Sequence, residues 1–158
     1  MTAEWRAMAA GDLPTAFAMS KIVHPAYPED FSVLAEKFRL FPVGCFFLEG
    51  AGYCVSHPWG GAPPALNRFL GRLPENPTLY YIHDVALLPA VRHTGVGREI
   101  VLRVKAVAGG LGLNRLGLVA VNASAGFWQR QGFAISAACP PEKLATYGGK
   151  ARYMECRV

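Results

Sequence analysis

The sequence predicts a mixed α+β protein built around one central sheet, and two observations carry that prediction. Apolar runs rich in aromatic and branched residues, such as "TLYYIHDVALL" (residues 78–88), are interspersed with stretches of helical apolar spacing, such as "GREIVLRVKAVA" (97–108). The alternation is only partial, with paired runs toward both ends, which favours a mixed sheet over a doubly wound parallel one. At 158 residues the chain suits one domain spanning 1–158, large enough to bury a core.

The elements follow in order. "EWRAM" (4–8) reads as a short first strand. "GDLPTAFAMSKIVH" (11–24) offers Asp12 as an N-cap and Pro14 in the first turn, with Leu13, Phe17, Met19 and Ile22 at loosely helical spacing. "PEDFSVLAEKFRL" (28–40) predicts a second helix, with Phe31, Leu34 and Phe38 on one stripe and Glu29 and Asp30 near its N-terminus. "VGCFFLEGAGYCVSHP" (43–58) is a hairpin signal, two apolar runs around a Gly-rich turn. Residues 57–78 carry five prolines and are too long for a hairpin connection, so they read either as a functional lid or as a disordered loop, whose middle, "ALNRFLGRL" (65–73), could make a short helix. "TLYYIHDVALL" is the strongest strand candidate. In the helix after it, Ile100, Val101, Val104, Val107 and Ala108 share a face, and Gly109-Gly110 is the expected stop. "NRLGLVAV" (114–121) predicts a buried strand, "SAGFWQRQ" (124–131) a short helix closed by Gly132, and "FAISAA" (133–138) with "ARYMECRV" (151–158) the last strands.

Composition narrows the function classes. No apolar run approaches the roughly 20 residues of a membrane helix, and the N-terminus lacks a basic segment followed by an apolar core. The expectation is a soluble cytoplasmic protein, monomer or homodimer, with no membrane partner. Cys45, Cys54, Cys139 and Cys156 form no C-x-x-C pair and no ligand spacing with histidines, so neither a metal site nor a disulfide framework is predicted. A net charge of +5 favours an anionic partner, yet the basic residues are dispersed with no stacking-aromatic motif. A small polyanionic ligand accounts for the charge better than nucleic acid does.

The stretch "ALLPAVRHTGVGREIV" (86–101) joins the strongest strand to a helix through a short basic loop. A Walker A loop needs G-x-x-x-x-G-K-[ST], which is absent, and Ile100 stands where a dinucleotide fingerprint would need its third glycine. Two readings remain. Gly95 and Gly97 either ease a tight turn or open an anion cradle, where unpaired N–H groups at a helix start meet a negative ligand. Arg92, His93 and Arg98 would add donors around it.

Residues Leu87-Leu88-Pro89-Ala90-Val91-Arg92-His93-Thr94-Gly95-Val96-Gly97 resemble the acetyl-CoA-binding motif of the GNAT acetyltransferase superfamily, an apolar-x-Pro step followed by [Q/R]-x-x-G-x-[G/A]. A second segment, "VNASAGFWQRQGF" (121–133), resembles the family's Asn…Ala…Phe-Tyr-x-x-x-Gly-Phe stretch, with Ser124 in the usual alanine place. The likeness runs from about Val43 to Val158. It implies a mostly antiparallel sheet of six to seven strands with about four helices, splayed between strands 4 and 5. It further implies acetyl-CoA as cosubstrate and no metal. The pyrophosphate would be held by backbone N–H groups from Arg92 to Gly97, with Leu87, Leu88, Arg98, Asn122, Ser124, Phe127 and Trp128 completing the site.

The implied reaction is direct acyl transfer to an amine, which must lose a proton before it attacks. A backbone N–H near Leu87 would hold the thioester oxygen as charge develops on it. "YIHDVAL" (81–87) resembles the His-x-His strand of arylalkylamine N-acetyltransferases, with His83 at the second histidine and Tyr81 at the first. His83 is therefore the expected base, with Asp84 beside it. Successive strand residues face opposite sides, so 81, 83, 85 and 87 should share a face, and His83 and Asp84 meet in one cleft only if a bulge intervenes. Trp128 stands where many members carry a tyrosine acid, and an indole is no acid near neutral pH; Tyr147 is the candidate substitute. On the acceptor side, Tyr27, Trp59 and Phe38 offer an apolar wall, and Glu29 or Glu36 could attract a cation. The predicted function is acetyl transfer to a small primary amine. The alternatives are acetylation of protein N-termini or lysines, or a non-catalytic acyl-CoA-binding module.

Overall fold

The apolar runs assemble into one seven-stranded sheet in the computed structural model, which describes residues 3–158. Chain order gives β1 (Trp5–Ala7), α1 (Leu13–Val23), α2 (Phe31–Leu40), β2 (Cys45–Leu48), β3 (Gly52–Trp59) and β4 (Leu79–Leu87). Then follow α3 (Val96–Gly110), β5 (Arg115–Ala120), α4 (Ala125–Arg130), β6 (Ala134–Ile135) and β7 (Arg152–Arg157). Spatial order is β1-β2-β3-β4-β5-β7-β6, antiparallel everywhere except between β4 and β5. The mixed α+β class and the mostly antiparallel sheet are as expected.

Side-chain alternation sorts the core into two layers. Cys45, Phe47, Tyr53 and Val55 face α1 and α2, where they pack with Leu13, Ala16, Met19 and Leu34. Phe46, Leu48 and Cys54, one residue out of step, face α3 and its Val96, Ile100, Val101 and Val104. The Trp5 indole N–H donates 2.8 Å to the Val96 carbonyl, tying β1 to the first turn of α3.

β4 breaks the alternation. Its register against β3 steps from Val55 opposite Asp84 to Ser56 opposite Ile82, so His83 is the extra residue of a β-bulge. Parity reverses across it. Tyr80 and Ile82 face α3 before the bulge, whereas Val85 and Leu87 face it afterwards and Ala86 turns to the α1/α2 layer. The expected grouping of 81, 83, 85 and 87 is corrected accordingly: His83 and Asp84 both look toward α1 and α2. Pairing of β4 with β5 covers only Tyr80–Ile82 opposite Leu116–Leu118, and past the bulge the strands part.

Several local expectations need correction. Asp12 stands at the N-cap position of α1 as expected, but its carboxylate accepts the Ala9 N–H and pairs with Arg6 at 2.7 Å, so it makes no side-chain cap to the helix amides. Ile22 of the expected α1 stripe is exposed, and Phe31 of α2 leans on Phe17 instead of entering the core. Gly109 and Gly110 belong to the last turn of α3, and the left-handed Gly112 ends it. The segment 65–73 forms no helix. Carboxylates hold it instead: Glu36 accepts the Leu70 and Gly71 N–H groups at 2.6 and 3.0 Å, and Glu29 accepts that of Asn67 at 2.9 Å. Glu36 is thereby committed to the loop and is buried away from any acceptor. No helix is long and apolar enough to cross a membrane among the described residues.

Candidate active site

The parting of β4 and β5 opens a cleft of about 760 Å³. The loop after β4 forms one end of it. A 3₁₀ turn over Pro89–Val91 leads to two left-handed residues, His93 (φ 64°) and Gly95 (φ 92°). His93 pays the steric cost of that conformation, whereas Gly95 does not. The Thr94 hydroxyl donates to the Val91 carbonyl, and Arg92 Nε donates 3.1 Å to the Leu87 carbonyl, which fixes the loop against the strand. The first amide of α3 with a helical partner is Glu99, bonded to Gly95 O at 3.1 Å. The N–H groups of Val96, Gly97 and Arg98 have no carbonyl one turn earlier to receive them, and they supply the positive end of a 15-residue helix.

Glycine is required here for two separate reasons. Gly95 needs its positive φ, and a Cβ there would project into open space where a ligand can approach. At Gly97 a Cβ would lie 2.9 Å from the Phe127 ring, so α3 reaches α4 only because the side chain is missing. Leu87 completes this end. The Leu88 N–H donates 2.8 Å to Ala51 on the β3 side, so by alternation the Leu87 N–H points into the gap.

The bulge builds the other end. His83 Nε2 lies 2.7 Å from Glu29 Oε1 in the α1–α2 loop. Asp84 receives Tyr53 from β3, through its hydroxyl, and His24 Nε2 at 2.7 Å from the end of α1. Asn122 Nδ2, in the β5–α4 loop, is 2.7 Å from His24 Nδ1. A second hollow of about 20 Å³ lies beyond, among Phe17, Ser20, Tyr27 and Leu34. Among the described residues, His24, His83 and Asp84 are the ones that line both spaces.

The electrostatics of these pairs are asymmetric. Burial would raise the Glu29 carboxyl, but the neighbouring His83, helped by Lys37, brings it down to about 2. For His24, burial disfavours the imidazolium, yet the Asp84 carboxylate more than offsets it and the pKa is raised. Burial pushes the Tyr53 hydroxyl well above its usual range, as does Asp84 beside it, so Tyr53 is a donor and Asp84 its acceptor. His57, behind His83 at 6.5 Å between ring centres, is driven down to about 3 by burial and stays neutral.

The acetyltransferase (GNAT) family profile matches residues 18–133. The chain belongs to that family. Comparison of the sequence with curated proteins returns no match. Solved structures share the fold at low identity. The loading GNATL domain of CurA from Lyngbya majuscula is 13% identical, with 99% of this chain and 98% of that one covered and a TM-score of 0.80. Ard1 from Thermoplasma volcanium gives 14%, 100% and 99%, and 0.74. Rv2747 from Mycobacterium tuberculosis, solved in complex with CoA, gives 17%, 98% and 99%, and 0.72.

Against this GNAT fold, most of the expected site converges. Leu87, Arg92, His93, Gly95, Gly97 and Arg98 line the cleft from the β4–α3 side, and Asn122, Ser124, Phe127 and Trp128 from the β5–α4 side. Thr94 ties the loop internally, Val96 is buried under α3, and Leu88 packs toward the α1/α2 layer, so these three do not line it. Trp128 is buried against Phe127 and Phe133, with ring centres 5.0 and 5.4 Å away.

The candidate acid and three acceptor-side residues fall elsewhere. The Tyr147 hydroxyl is buried and donates 2.9 Å to the Pro64 carbonyl; it lines neither space and anchors the 60–78 loop, which removes it as the acid. Trp59 packs on His57 and donates to Ala62 O at 3.0 Å, and Tyr81 is buried beside His57. Phe38 packs at the edge of the α1/α2 core, leaving Tyr27 and Glu29 at the hollow. His24, by contrast, is a site residue that strand and motif patterns do not single out. It closes a helix 60 residues before its partner Asp84, three positions from the acceptor-side candidate Tyr27.

Proposed function

We propose that the protein is an acetyl-CoA-dependent N-acetyltransferase acting on a small primary amine by direct transfer. The observation that carries this reading is the shared wall of His24, His83 and Asp84, where a large cleft beside a helix N-terminus meets a small hollow of mixed polar and aromatic lining. The residues present fit coenzyme A. Left-handed His93 and Gly95 turn backbone amides toward one anion, and no side chain fills the space at Gly95. Beyond Ile82, β4 has an edge that β5 does not use, suited to the amides of the pantetheine arm.

Acetyl-CoA would supply an activated acyl group whose carbonyl oxygen gains charge during attack. The Leu87 N–H, fixed on a strand before substrate arrives, stabilises that charge. His83 takes the proton from the ammonium form of the acceptor. Ionised Glu29 fixes the proton of His83 on Nε2, which leaves Nδ1 with its lone pair, and that atom is buried without a partner among the described residues. The 60–78 loop, pinned by Glu29 and Glu36, suits a small amine better than a peptide. We place the protein in the cytoplasm as a single 1–158 domain.

The test is release of the CoA thiol across a panel of small amines, run beside calorimetric titration with acetyl-CoA. Turnover with a small amine and a large loss in His83→Ala are expected. Binding without turnover on any amine would leave a sensor module, and turnover on peptides alone would move the acceptor to proteins.

A further inference from the structure

The transfer leaves one proton unplaced. When the C–S bond breaks, its electron pair departs on sulfur, and a thiol of ordinary pKa near 8.5 departs more readily with a proton than as thiolate. Trp128, in the position where a phenol would serve, is a buried indole that gives up no proton near neutral pH. Tyr147 is turned away to Pro64.

We propose that His24, held by Asp84, is the acid that gives this proton to the departing sulfur. The inference rests on the acetyl-transfer reading above. Four observations on the molecule support it. His24 sits at the C-cap of α1, where its own N–H closes on Ser20 O at 2.8 Å, so the last carbonyls of the helix favour an imidazolium. Its Nε2 is committed to Asp84, whose other oxygen takes the Tyr53 hydroxyl. Its Nδ1 is turned to Asn122, on the loop that follows β5 and that carries Ser124, Phe127 and Trp128 into the cleft. And His24 borders both the cleft and the hollow, in the wall the two spaces share.

The charges facing His24 come from every surrounding element. Asp84 from β4 and Glu29 from the α1–α2 loop favour its charged form, while Arg92 from the β4–α3 loop opposes it. His83, on the bulge, is compensated by its own carboxylate at 2.7 Å, and Tyr53 contributes a neutral donor to Asp84. Two histidines with separate carboxylates divide the work. The amine N–H proton passes to His83, the amine nitrogen bonds the acyl carbon, the C–S bond breaks, and the Nδ1 proton of His24 passes to sulfur. His83 ends protonated and His24 neutral, and exchange with solvent restores both. Asn122 follows the change, since its amide nitrogen donates to neutral Nδ1 and its oxygen must face the charged ring.

A charged His24 beside the bound sulfur also favours the thiolate, so it lowers the pH at which the CoA thiol ionises. Mixing the protein with free CoA at pH 7 should therefore produce thiolate, read by its near-ultraviolet absorbance, well below the pH at which free CoA ionises. His24→Gln should abolish this signal while binding desulfo-CoA as the wild type does. In turnover, His24→Gln should lose about 10²–10³-fold in kcat and the alkaline limb of its pH profile, with KM for acetyl-CoA changed less than about threefold. Asp84→Asn should move that limb to lower pH. If His24→Gln fails to fold, the wild-type His24 ring resonances decide the matter, because they should respond to CoA and not to desulfo-CoA. Equal thiolate signals in wild type and His24→Gln, or an unmoved alkaline limb, would overturn the assignment. An enzyme that forms the thiolate but acetylates no amine would instead refute the proposed substrate and leave His24 in place.

Discussion

Replacing Glu29 with Gln removes one negative charge while leaving shape and one acceptor oxygen. That charge serves two partners, His83 at 2.7 Å and the Asn67 N–H at 2.9 Å. Its carboxyl is held at about 2 instead of 4.5, and its side chain is only 18% exposed, so solvent screening is limited. At 1.36 kcal/mol per pH unit, the displacement is worth on the order of 3 kcal/mol of folding free energy. Gln retains an acceptor for Asn67, so Glu29→Gln should cost about 1–3 kcal/mol at pH 7. The sign follows from a depressed carboxyl. The stabilisation is complete above pH 4.5 and is lost as pH falls toward 2, so the gap between wild type and variant should close over that window. Urea unfolding at pH 7, 5, 4 and 3 measures it. Activity should fall as well, about 10–100-fold in kcat/KM, because the ring loses the partner that fixes its proton. A gap that persists unchanged down to pH 3, or a destabilisation below about 0.5 kcal/mol at pH 7, would refute the coupling of Glu29 to His83.

The other outcomes concern the frame of the site. Gly97→Val should weaken CoA binding at least tenfold by titration, because its Cβ meets the Phe127 ring at 2.9 Å and drives α3 away from α4; unchanged affinity would argue against the cradle. Tyr147→Phe loses the bond to Pro64 and should cost about 1 kcal/mol in stability without altering the pH profile of kcat, whereas a lost alkaline limb would restore it as an acid. His57 is driven from 6.5 to about 3, so it stays neutral in the fold and charges on unfolding; its stability contribution is present above pH 6.5 and falls on acidification. Between pH 6.5 and 5 this group should remove about 2 kcal/mol, a slope that His57→Phe should flatten in thermal or urea unfolding.

Much of this fold was legible because its signals are local. β2 and β3 alternate cleanly between two packed layers, and the helix after the Gly95 loop carries its apolar face in plain spacing. The two segments of the expected cofactor side are each contiguous, and the loop and the β5–α4 turn come to line one cleft. The acceptor side is assembled from distant pieces. His24 meets Asp84 across 60 positions and Glu29 meets His83 across 54, and no local pattern encodes either pairing. Charge near a helix start was equally ambiguous. Of Glu29, Asp30 and Glu36, the first partners a histidine and a loop, the second marks the helix start without a side-chain cap, and the third is buried under the loop.

The bulge at His83 explains why these distant groups converge at one point. A regular strand would show His83 to one layer and Asp84 to the other, so only one of the two carboxylate–histidine pairs could form on the acceptor side. One inserted residue turns both toward α1 and α2, and it sends Val85 and Leu87 to the α3 side, where Leu87 abuts the cofactor loop. A bulge also bends and twists its strand, and pairing with β5 ends at Ile82, the residue immediately before it. The cleft, the inward-turned Leu87 N–H and the two histidine–carboxylate pairs therefore share one structural origin. On the proposed assignment, the base His83 and the carboxylate Asp84 that holds the acid His24 are neighbouring residues of a single strand, and the bulge that follows Ile82 is what presents both to the same layer.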